Sequence, residues 1–296
     1  MENPSMNKSL QSKRALITGG TQGLGSEIAK KFVLAGANIL ICGRDGDSLN
    51  KIQNQLVALS EPGQKVEIFK ADISKDADID ALVKAMTLNL GGCDILVNNA
   101  GIYGPKGFIE DIDWADWINT IEINLLGSIK LCRKLVPIFR SQRYGKIIQL
   151  SGGGATNPLP RLSAYAVSKA GIVRFSETLA EELRGSGVDV NAIAPGALNT
   201  RMLDEILSSD PSVVGRDFYE KAVKQKQVGG TSLDLGADLA VYLASPISDG
   251  VTGKLISAVW DDWQHFHNYL IELNSTDIYT LRRIVPEDRN VTLGKK

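Results

Sequence analysis

A regular alternation of short apolar runs with longer amphipathic stretches is the feature that most constrains this chain. Runs that are apolar almost throughout are typical of strands buried on both faces of a parallel sheet. We predict such strands at 15–18, 38–42, 65–69, 95–97, 146–150, 189–193 and 254–259. The amphipathic stretches predict helices at 24–35, 47–59, 76–90, 114–139, 163–184 and 234–244. This order predicts an α/β fold with a doubly wound parallel sheet of about seven strands.

Composition and charge argue against several classes of protein. The chain has 296 residues, with 33 Lys and Arg against 34 Asp and Glu, a balance that favours neither nucleic acid nor an anionic membrane as partner. Residues 1–13 lack the apolar core of a signal peptide, and no apolar run approaches the roughly 18 residues needed to span a bilayer. The three cysteines form no C-x-x-C pair and are expected to be buried apolar residues. We therefore expect a cytoplasmic protein without a metal site.

A glycine-rich turn lies between the first predicted strand and the first predicted helix. Glycines let the chain turn tightly and approach a pyrophosphate, and the helix N-terminus supplies free N–H donors. The spacing is G-x-x-x-G-x-G rather than the more familiar G-x-G-x-x-G. The turn predicts a dinucleotide site formed by Gly19, Thr21, Gln22, Gly23, Leu24 and Gly25.

This turn and five further motifs resemble, in the same order, those of the short-chain dehydrogenase/reductase family. The motifs are Thr18-Gly19-x-x-x-Gly23-x-Gly25, Asp72, Asn98-Asn99-Ala100-Gly101, Asn124, Tyr165-x-x-x-Lys169 and Pro195-Gly196. The resemblance covers residues 13–259. It implies a Rossmann-type oxidoreductase that interconverts a small-molecule carbonyl and a secondary alcohol with a nicotinamide cofactor, as a homodimer or homotetramer.

The resemblance also implies which residues contact the cofactor. Asp72 would accept from the adenine amino group, although it could instead be a helix N-cap, a role for which Ser74 competes. Thr200 would contact the nicotinamide amide, and Asn99 would pin neighbouring strands. Together with the glycine turn, the implied contacts are Asp72, Ile73, Asn99, Ala100, Gly101, Tyr165, Lys169, Pro195, Gly196 and Thr200.

The residues after the second strand bear on the choice between NAD and NADP. An acidic residue there accepts from the ribose 2′-hydroxyl, whereas an arginine meets a 2′-phosphate. By the family's alignment the acidic position holds Gly43, Arg44 follows, and we interpret Asp45 as a cap for the next helix. We therefore expect NADP(H), held by Arg44, with NAD(H) as the alternative.

Tyr165 and Lys169 are four residues apart on a predicted helix and so share one face. A free tyrosine has a pKa near 10, and a cation at about 4 Å could lower that pKa by about three units. We expect Lys169 to do so, with Tyr165 as general acid in reduction and general base in oxidation. The resemblance implies that Asn124 holds a water in the proton relay; alternatively, Asn124 bonds only to nearby backbone.

The serine that the family places thirteen residues before the tyrosine is replaced here by Gly152. Ser151 stands one residue earlier, in front of three glycines. Either the loop carries an extra residue and Ser151 polarises the substrate carbonyl, or that role is lost. We expect Ser151 to act, with Ser163 as a rival.

Two segments interrupt the alternation and complete the predicted organisation. Residues 199–232 form either a substrate lid or a disordered insertion. The basic residues of this segment suit an anionic substrate or form only a solvated helix face. Residues 261–296 carry their own apolar pattern and predict a helical C-terminal extension near a subunit interface or the active-site mouth. We expect a flexible N-terminus at 1–12 and one dinucleotide-binding catalytic domain at 13–260.

Two other functions remain open on the same fold, because a fold alone does not fix activity. One is a nucleotide-sugar epimerase or dehydratase that uses hydride transfer only transiently. The other is a non-catalytic NADP-sensing protein. Tyr165, Lys169 and Asn124 argue for an active enzyme, whereas the displaced serine argues mildly against one.

Overall fold

A computed structural model describes residues 8–292 and contains a seven-stranded sheet in which every neighbouring pair is parallel. The strands are β1 Arg14–Thr18, β2 Asn38–Gly43, β3 Val66–Lys70, β4 Ile95–Asn98, β5 Gly145–Leu150, β6 Val188–Ala194 and β7 Leu255–Ser257. Each strand lies where the apolar runs predict it, although β7 is shorter than expected. The predicted α/β fold is therefore confirmed.

The strand order is β3-β2-β1-β4-β5-β6-β7. The first three strands extend the sheet to one side of β1, and the strands from β4 onward extend it to the other side, so the order of addition reverses between β1 and β4. In open parallel sheets this reversal opens a crevice at the carboxyl ends of the strands, where ligands bind. The register pairs Ile17 of β1 with Val97 of β4, so the loops after these two strands leave the sheet side by side. The glycine turn and the loop that begins at Asn99 therefore meet at the crevice.

Helices cover both faces of the sheet. They are α1 Gly23–Leu34, α2 Gly46–Val57, α3 Asp76–Leu90, α4 Trp114–Ile121, α5 Gly127–Gln142, α6 Ser163–Glu182, α7 Arg201–Leu207, α8 Pro211–Val214, α9 Arg216–Val228, α10 Leu233–Ala244 and α11 Leu270–Ser275. The long helix predicted at 114–139 is instead interrupted by a π-helix at Glu122–Leu126, between α4 and α5. Within residues 8–292, no helix is both long enough and apolar enough to cross a membrane.

Alternating side chains of the central strands belong to two buried clusters, one on each face of the sheet. Ile17 of β1 lies in the cluster with α1 and α10, whereas its neighbour Leu16 lies in the cluster with α3 and α5. All three cysteines, Cys42, Cys93 and Cys132, are buried and unpaired. Burial raises the pKa of each thiol to about 12. Their prediction as buried apolar residues is confirmed.

Residues 199–232 are ordered as three helices, so the alternative of a disordered insertion is wrong. Buried apolar side chains of α7, α8 and α9, among them Leu203, Ile206 and Ala222, pack in one cluster with Leu162 and Tyr165. This packing fixes the segment beside the carboxyl ends of the strands. Its role as a lid stays a prediction.

The N-terminal boundary of the fold differs from the expectation. The prediction of a flexible N-terminus lies partly on residues 1–7, outside the described residues. Leu10, however, is fully buried in the core, and its N–H donates to the carbonyl of Ala35 at 2.9 Å. The folded domain therefore begins before residue 13.

The C-terminal extension packs on the domain through apolar side chains and backbone hydrogen bonds. Trp263, Phe266 and Leu273 are each at most 4% exposed and join the cluster that contains α10. The N–H of Leu255 in β7 donates to the carbonyl of Tyr279 at 2.8 Å, so the extension covers the open edge of the sheet. None of the described residues beyond 260 lines the cleft of this chain. A place near a subunit interface or the active-site mouth stays a prediction.

Removing residues 261–296 should destabilise the protein markedly. Burying a large apolar side chain contributes about 1.5–3 kcal/mol, and the truncation removes three such side chains and reopens the edge of β7. We expect a much lower Tm and aggregation, measured by thermal unfolding and light scattering against the full chain. A truncated protein with unchanged Tm and solubility would show that the extension is dispensable.

Candidate active site

Glycines in the turn after β1 let this turn pack closely against the loop that follows β4. Gly19 has φ +62°, and a Cβ there would lie 2.8 Å from Cα of Ala100. A Cβ on Gly25 would lie 2.3 Å from the side-chain amide of Asn99. Helix α1 begins at Gly23, and its N-cap Gln22 makes no side-chain capping bond. Free N–H groups at a helix N-terminus favour an anion, so the turn fits a pyrophosphate.

A hydrogen-bond network joins the loops that follow β1 and β4. The Asn99 amide donates to the carbonyls of Thr18 and Gly19 at 3.0 and 2.9 Å. The Thr18 hydroxyl accepts from the N–H groups of Asn99 and Ala100. Asn99 thus lies where it can pin neighbouring strands. Sequence reasoning left Thr18 without a role, although a threonine at the end of an apolar strand is a signal for it.

One cleft of about 1130 Å³ runs along the carboxyl ends of the strands. Every residue that we predicted for the cofactor and catalytic sites lines this cleft, with the exception of Asn124. The glycine turn, Arg44 and Asp72 lie in the same lining as Ser151, Tyr165 and Lys169. The structure therefore brings the two predicted sites together in one continuous space.

The residues after β2 and β3 define one end of the cleft. Asp45 is the N-cap of α2 and accepts from the N–H of Ser48 at 2.8 Å, as predicted. Arg44, next to it, is exposed. Burial alone would raise the pKa of Asp72, but hydrogen bonds from Ser74 and the guanidinium of Arg44 hold that pKa below its ordinary value. Arg44 and Asp72 therefore lie near one another at this end.

The alternative interpretation of Asp72 and Ser74 as a helix N-cap is wrong. Helix α3 begins at Asp76 and its N-cap is Lys75. The carboxylate of Asp72 instead accepts from the N–H and hydroxyl of Ser74 at 3.0 and 2.7 Å. This local turn leaves Asp72 at the cleft and outside the helix.

Tyr165 and Lys169 lie on one face of α6, buried at the cleft. The ammonium of Lys169 donates to the carbonyl of Leu150 at 2.7 Å and lies 5.6 Å from the ring centroid of Tyr165. Burial raises the pKa of the Tyr165 hydroxyl above its ordinary value, and burial lowers the pKa of Lys169 to about 8. In this arrangement the expected lowering of the pKa of Tyr165 by Lys169 is wrong, because burial raises that pKa and the ammonium of Lys169 is bonded to Leu150.

The turn after β5 places a glycine against the tyrosine hydroxyl. A Cβ on Gly152 would lie 2.3 Å from the oxygen of Tyr165, so the position of the family's serine faces Tyr165 without a side chain. Ser151 is buried, and its hydroxyl has no hydrogen-bond partner among residues 8–292. A buried hydroxyl without a hydrogen-bond partner is rare in folded proteins and requires an explanation. Ser163 is engaged elsewhere, since its hydroxyl accepts from the indole of Trp117 at 3.1 Å.

Asn124 lies in the π-helix behind the cleft and bonds to distant backbone. Its side-chain amide donates to the carbonyl of Ile102, and its oxygen accepts from the N–H of Ile102, both at 2.8 Å. The same amide donates to the hydroxyl of Ser168 at 3.1 Å. The alternative of purely local bonding is therefore wrong, because Ile102 is 22 residues away. A π-turn often marks a functional site, and here it aims Asn124 at the loop beside Lys169.

The residues that face Tyr165 across the cleft were not identified from the sequence. The ring of Tyr103 lies edge-on to that of Tyr165, with centroids 4.8 Å apart. Met202 and Phe218, from α7 and α9, line the same space. Tyr103 follows a strand end, where ligand-binding residues collect, so its position was a usable signal. The side chains of α7 and α9 gave none, because their place depends on tertiary packing.

A doubly wound sheet with a glycine turn and a buried Tyr–Lys pair at its switch point defines a nicotinamide-dependent oxidoreductase. A family model described as short chain dehydrogenase matches residues 13–211. The chain belongs to the short-chain dehydrogenase/reductase family, an NAD(P)-dependent enzyme family acting on carbonyls and alcohols. The predictions of family, fold and enzyme class are confirmed.

Individual relatives are similar over most of the chain. A 3beta-hydroxysteroid dehydrogenase 1 from Eggerthella lenta is 35% identical, covering 83% of this chain and 92% of the relative. A D-beta-hydroxybutyrate dehydrogenase from Cupriavidus necator is 34% identical, covering 85% and 96%. A crystal structure of an actinorhodin polyketide ketoreductase with NADPH has a TM-score of 0.75 and 26% identity, covering 85% and 97%. The names of these relatives specify different substrates.

Proposed function

We propose that this protein is an NADP(H)-dependent oxidoreductase that interconverts a ketone and a secondary alcohol, with Tyr165 as general acid and base. The observation that carries this proposal is the single cleft that joins the glycine turn to Tyr165 and Lys169. The ketoreductase with a similar fold whose structure contains NADPH supports the choice of cofactor. NADP(H), when bound, supplies or accepts the hydride at the substrate carbon.

The residues of the cleft fit such a cofactor. Helix α1 begins within the glycine turn, at Gly23, and its N-terminal N–H groups would face a pyrophosphate. Asp72 can accept from an adenine amino group. Lys169 would hold the ribose hydroxyls, and Thr200 would contact the nicotinamide amide. A Cβ on Gly23 would lie 3.3 Å from the methyl group of Thr200, so Thr200 already lies beside the turn.

Tyr165 would give its proton to the carbonyl oxygen in reduction and take it back in oxidation. In a buried site a neutral phenol is favoured over a phenolate, which suits the donor in reduction. For oxidation the phenolate needs positive charge nearby, from Lys169 and the oxidised nicotinamide. Asn124 would hold the backbone at Ile102 beside this pair, and its part in a water relay stays a prediction. Ser151 would polarise the carbonyl.

Arg44 should confer a preference for NADPH. Losing a charged hydrogen bond costs about 1.5–3 kcal/mol, or roughly ten- to 150-fold in affinity. The Arg44→Ala variant should therefore bind NADPH more weakly by this factor, with NADH affinity unchanged, in titrations of both cofactors. Lys51→Ala, which removes an exposed cation from α2, is the matched control. A wild-type preference for NADH would show that Arg44 was misinterpreted.

Cofactor affinity should depend on pH through Lys169. With a pKa of about 8, the side chain is an ammonium below that pH and loses its positive charge as the pH rises through it. NADPH binding should weaken across this range, and Lys169→Met should abolish the dependence. The measurement is NADPH titration one pH unit below and one above the midpoint. Equal wild-type affinity at both would contradict the assignment.

Two alternatives are tested together with the main proposal. Purified protein is assayed for NADPH oxidation with a panel of ketones, and its retained cofactor is measured after denaturation. Turnover that consumes NADPH supports the oxidoreductase. A tightly retained cofactor with no net consumption favours an epimerase or dehydratase, and NADPH binding without chemistry favours a sensor.

We also propose a homodimer or homotetramer located in the cytoplasm. The assembly rests on family membership, and the location on three buried, unpaired cysteines, which suit a reducing compartment. Light scattering of the purified protein measures the assembly directly, and a monomer at micromolar concentration would contradict it.

A further inference from the structure

The wall of the cleft next to Tyr165 is apolar. Tyr103, Leu159, Met202 and Phe218 line the cleft and pack against the cluster that contains Tyr165. All four are only half-buried, so part of each apolar side chain faces the open space. Binding pockets for small molecules are lined mainly by such side chains, with few polar groups for orientation.

Buried apolar side chains extend this wall. Leu203 and Ile206 of α7 and Ala222 of α9 are buried in the same cluster and also line the cleft. A fixed charge on a substrate here would leave water without gaining a partner in the wall, which is costly. The wall therefore disfavours an anionic substrate.

The basic residues of α7 and α9 do not compensate, because acidic side chains of α7 pair with two of them. Arg201 pairs with Glu205 at 3.4 Å, and Lys226 pairs with Asp204 at 2.7 Å. Lys221 also lines the cleft, but it is exposed and lies outside the cluster that contains Tyr103, Leu159, Met202 and Phe218.

Glu205 lies near Tyr103 and is paired with Arg201. Burial raises the pKa of Tyr103, and the carboxylate of Glu205 raises it further. The positive charge of Arg201 is therefore already engaged beside Tyr103.

We propose that the substrate is a neutral, apolar ketone or secondary alcohol, held against Tyr103, Leu159, Met202 and Phe218. The inference rests on the proposed function and narrows it. The names of the relatives leave the question open, since a steroid and a hydroxybutyrate dehydrogenase are both similar to this chain. Of these two chemistries, the apolar wall favours the neutral one.

The test compares two ketones that share ring and carbonyl and carry either an apolar or an anionic substituent at C4, 4-ethylcyclohexanone and 4-oxocyclohexanecarboxylate. Turnover with NADPH is measured for both, and binding to the NADPH-loaded protein is followed in parallel by cofactor fluorescence. We expect kcat/KM to favour the neutral ketone by at least tenfold. Each further buried methylene in a 4-alkyl series should add about fourfold.

The wall itself is tested by Phe218→Asp, with Lys224→Asp on the exposed face of the same helix as control. Phe218→Asp should lower kcat/KM for 4-ethylcyclohexanone by more than tenfold and abolish the gain along the alkyl series. Lys224→Asp should change neither. Because Phe218→Asp could disturb folding, Phe218→Leu serves as a second variant that keeps an apolar wall and should retain the alkyl dependence.

The outcomes separate this inference from the function on which it rests. Selective binding of the neutral ketone without turnover would support the inference and reject the proposed chemistry. Turnover or binding that favours the carboxylate would overturn the inference while leaving the oxidoreductase intact. Absence of measurable binding of either ketone would also overturn it.

Discussion

Tyr165→Phe is expected to reduce kcat by at least a hundredfold and up to about ten-thousandfold, the range that proton transfer by a positioned side chain contributes. Phenylalanine keeps the ring and its edge-on contact with Tyr103, 4.8 Å between centroids, so packing should survive. Cofactor affinity should also survive, because the turn and Arg44 are untouched. Ketone reduction and NADPH binding are measured in parallel on the variant and the wild type.

The matched control is Tyr103→Phe, which removes the other hydroxyl of the same aromatic pair. It should keep most of the turnover, because we assign no proton transfer to that group. If Tyr103→Phe lost turnover and Tyr165→Phe kept it, the general acid would be the wrong tyrosine of the pair. Retained turnover in both variants would show that neither tyrosine is the general acid.

Ser151→Ala should lower kcat by about a hundred- to a thousandfold, the effect of removing one donor to a developing oxyanion. The Ser151 hydroxyl is buried without a partner, and an unpaired buried hydroxyl costs stability. Replacing it by a methyl group should therefore leave Tm unchanged or raise it. Opposite effects on kcat and on Tm would indicate a group kept for chemistry at the expense of stability.

Ser163→Ala is the control for this variant, because the Ser163 hydroxyl is already engaged by Trp117. It should lower Tm slightly and leave kcat near the wild-type value. If Ser163→Ala lowered kcat and Ser151→Ala did not, the loop after β5 would not hold Ser151 against the substrate carbonyl as we infer. If neither mattered, the carbonyl would be held by Tyr165 alone or by backbone N–H groups of the glycine turn beside Gly152.

Patterns that depend on local chemistry were readable from the sequence. The seven strands follow from apolar runs, and the cleft lining follows from glycines and polar residues at strand ends. Asp45 as the cap of α2 follows from its place just before the helix. Each of these features is determined within a few residues, where propensity and periodicity act.

Features that depend on distant contacts were not readable. The π-helix around Asn124 accompanies hydrogen bonds to Ile102, 22 residues away. Met202 and Phe218 gained their place at the cleft only when α7 and α9 folded against α6. The pKa of Tyr165 was misjudged because the spacing to Lys169 was known but the bond from Lys169 to Leu150 was not. Tertiary geometry decides all three.

Isotope transfer tests the central claim most directly. The wild-type protein is incubated with NADPH that carries deuterium at both C4 positions of the reduced nicotinamide, together with 4-ethylcyclohexanone, and the alcohol product is analysed by mass spectrometry and NMR. The account predicts one deuterium on the carbinol carbon, in a single configuration, with stoichiometric loss of NADPH. Alcohol without deuterium, or NADPH that binds and stays unconsumed with every ketone offered, would contradict it.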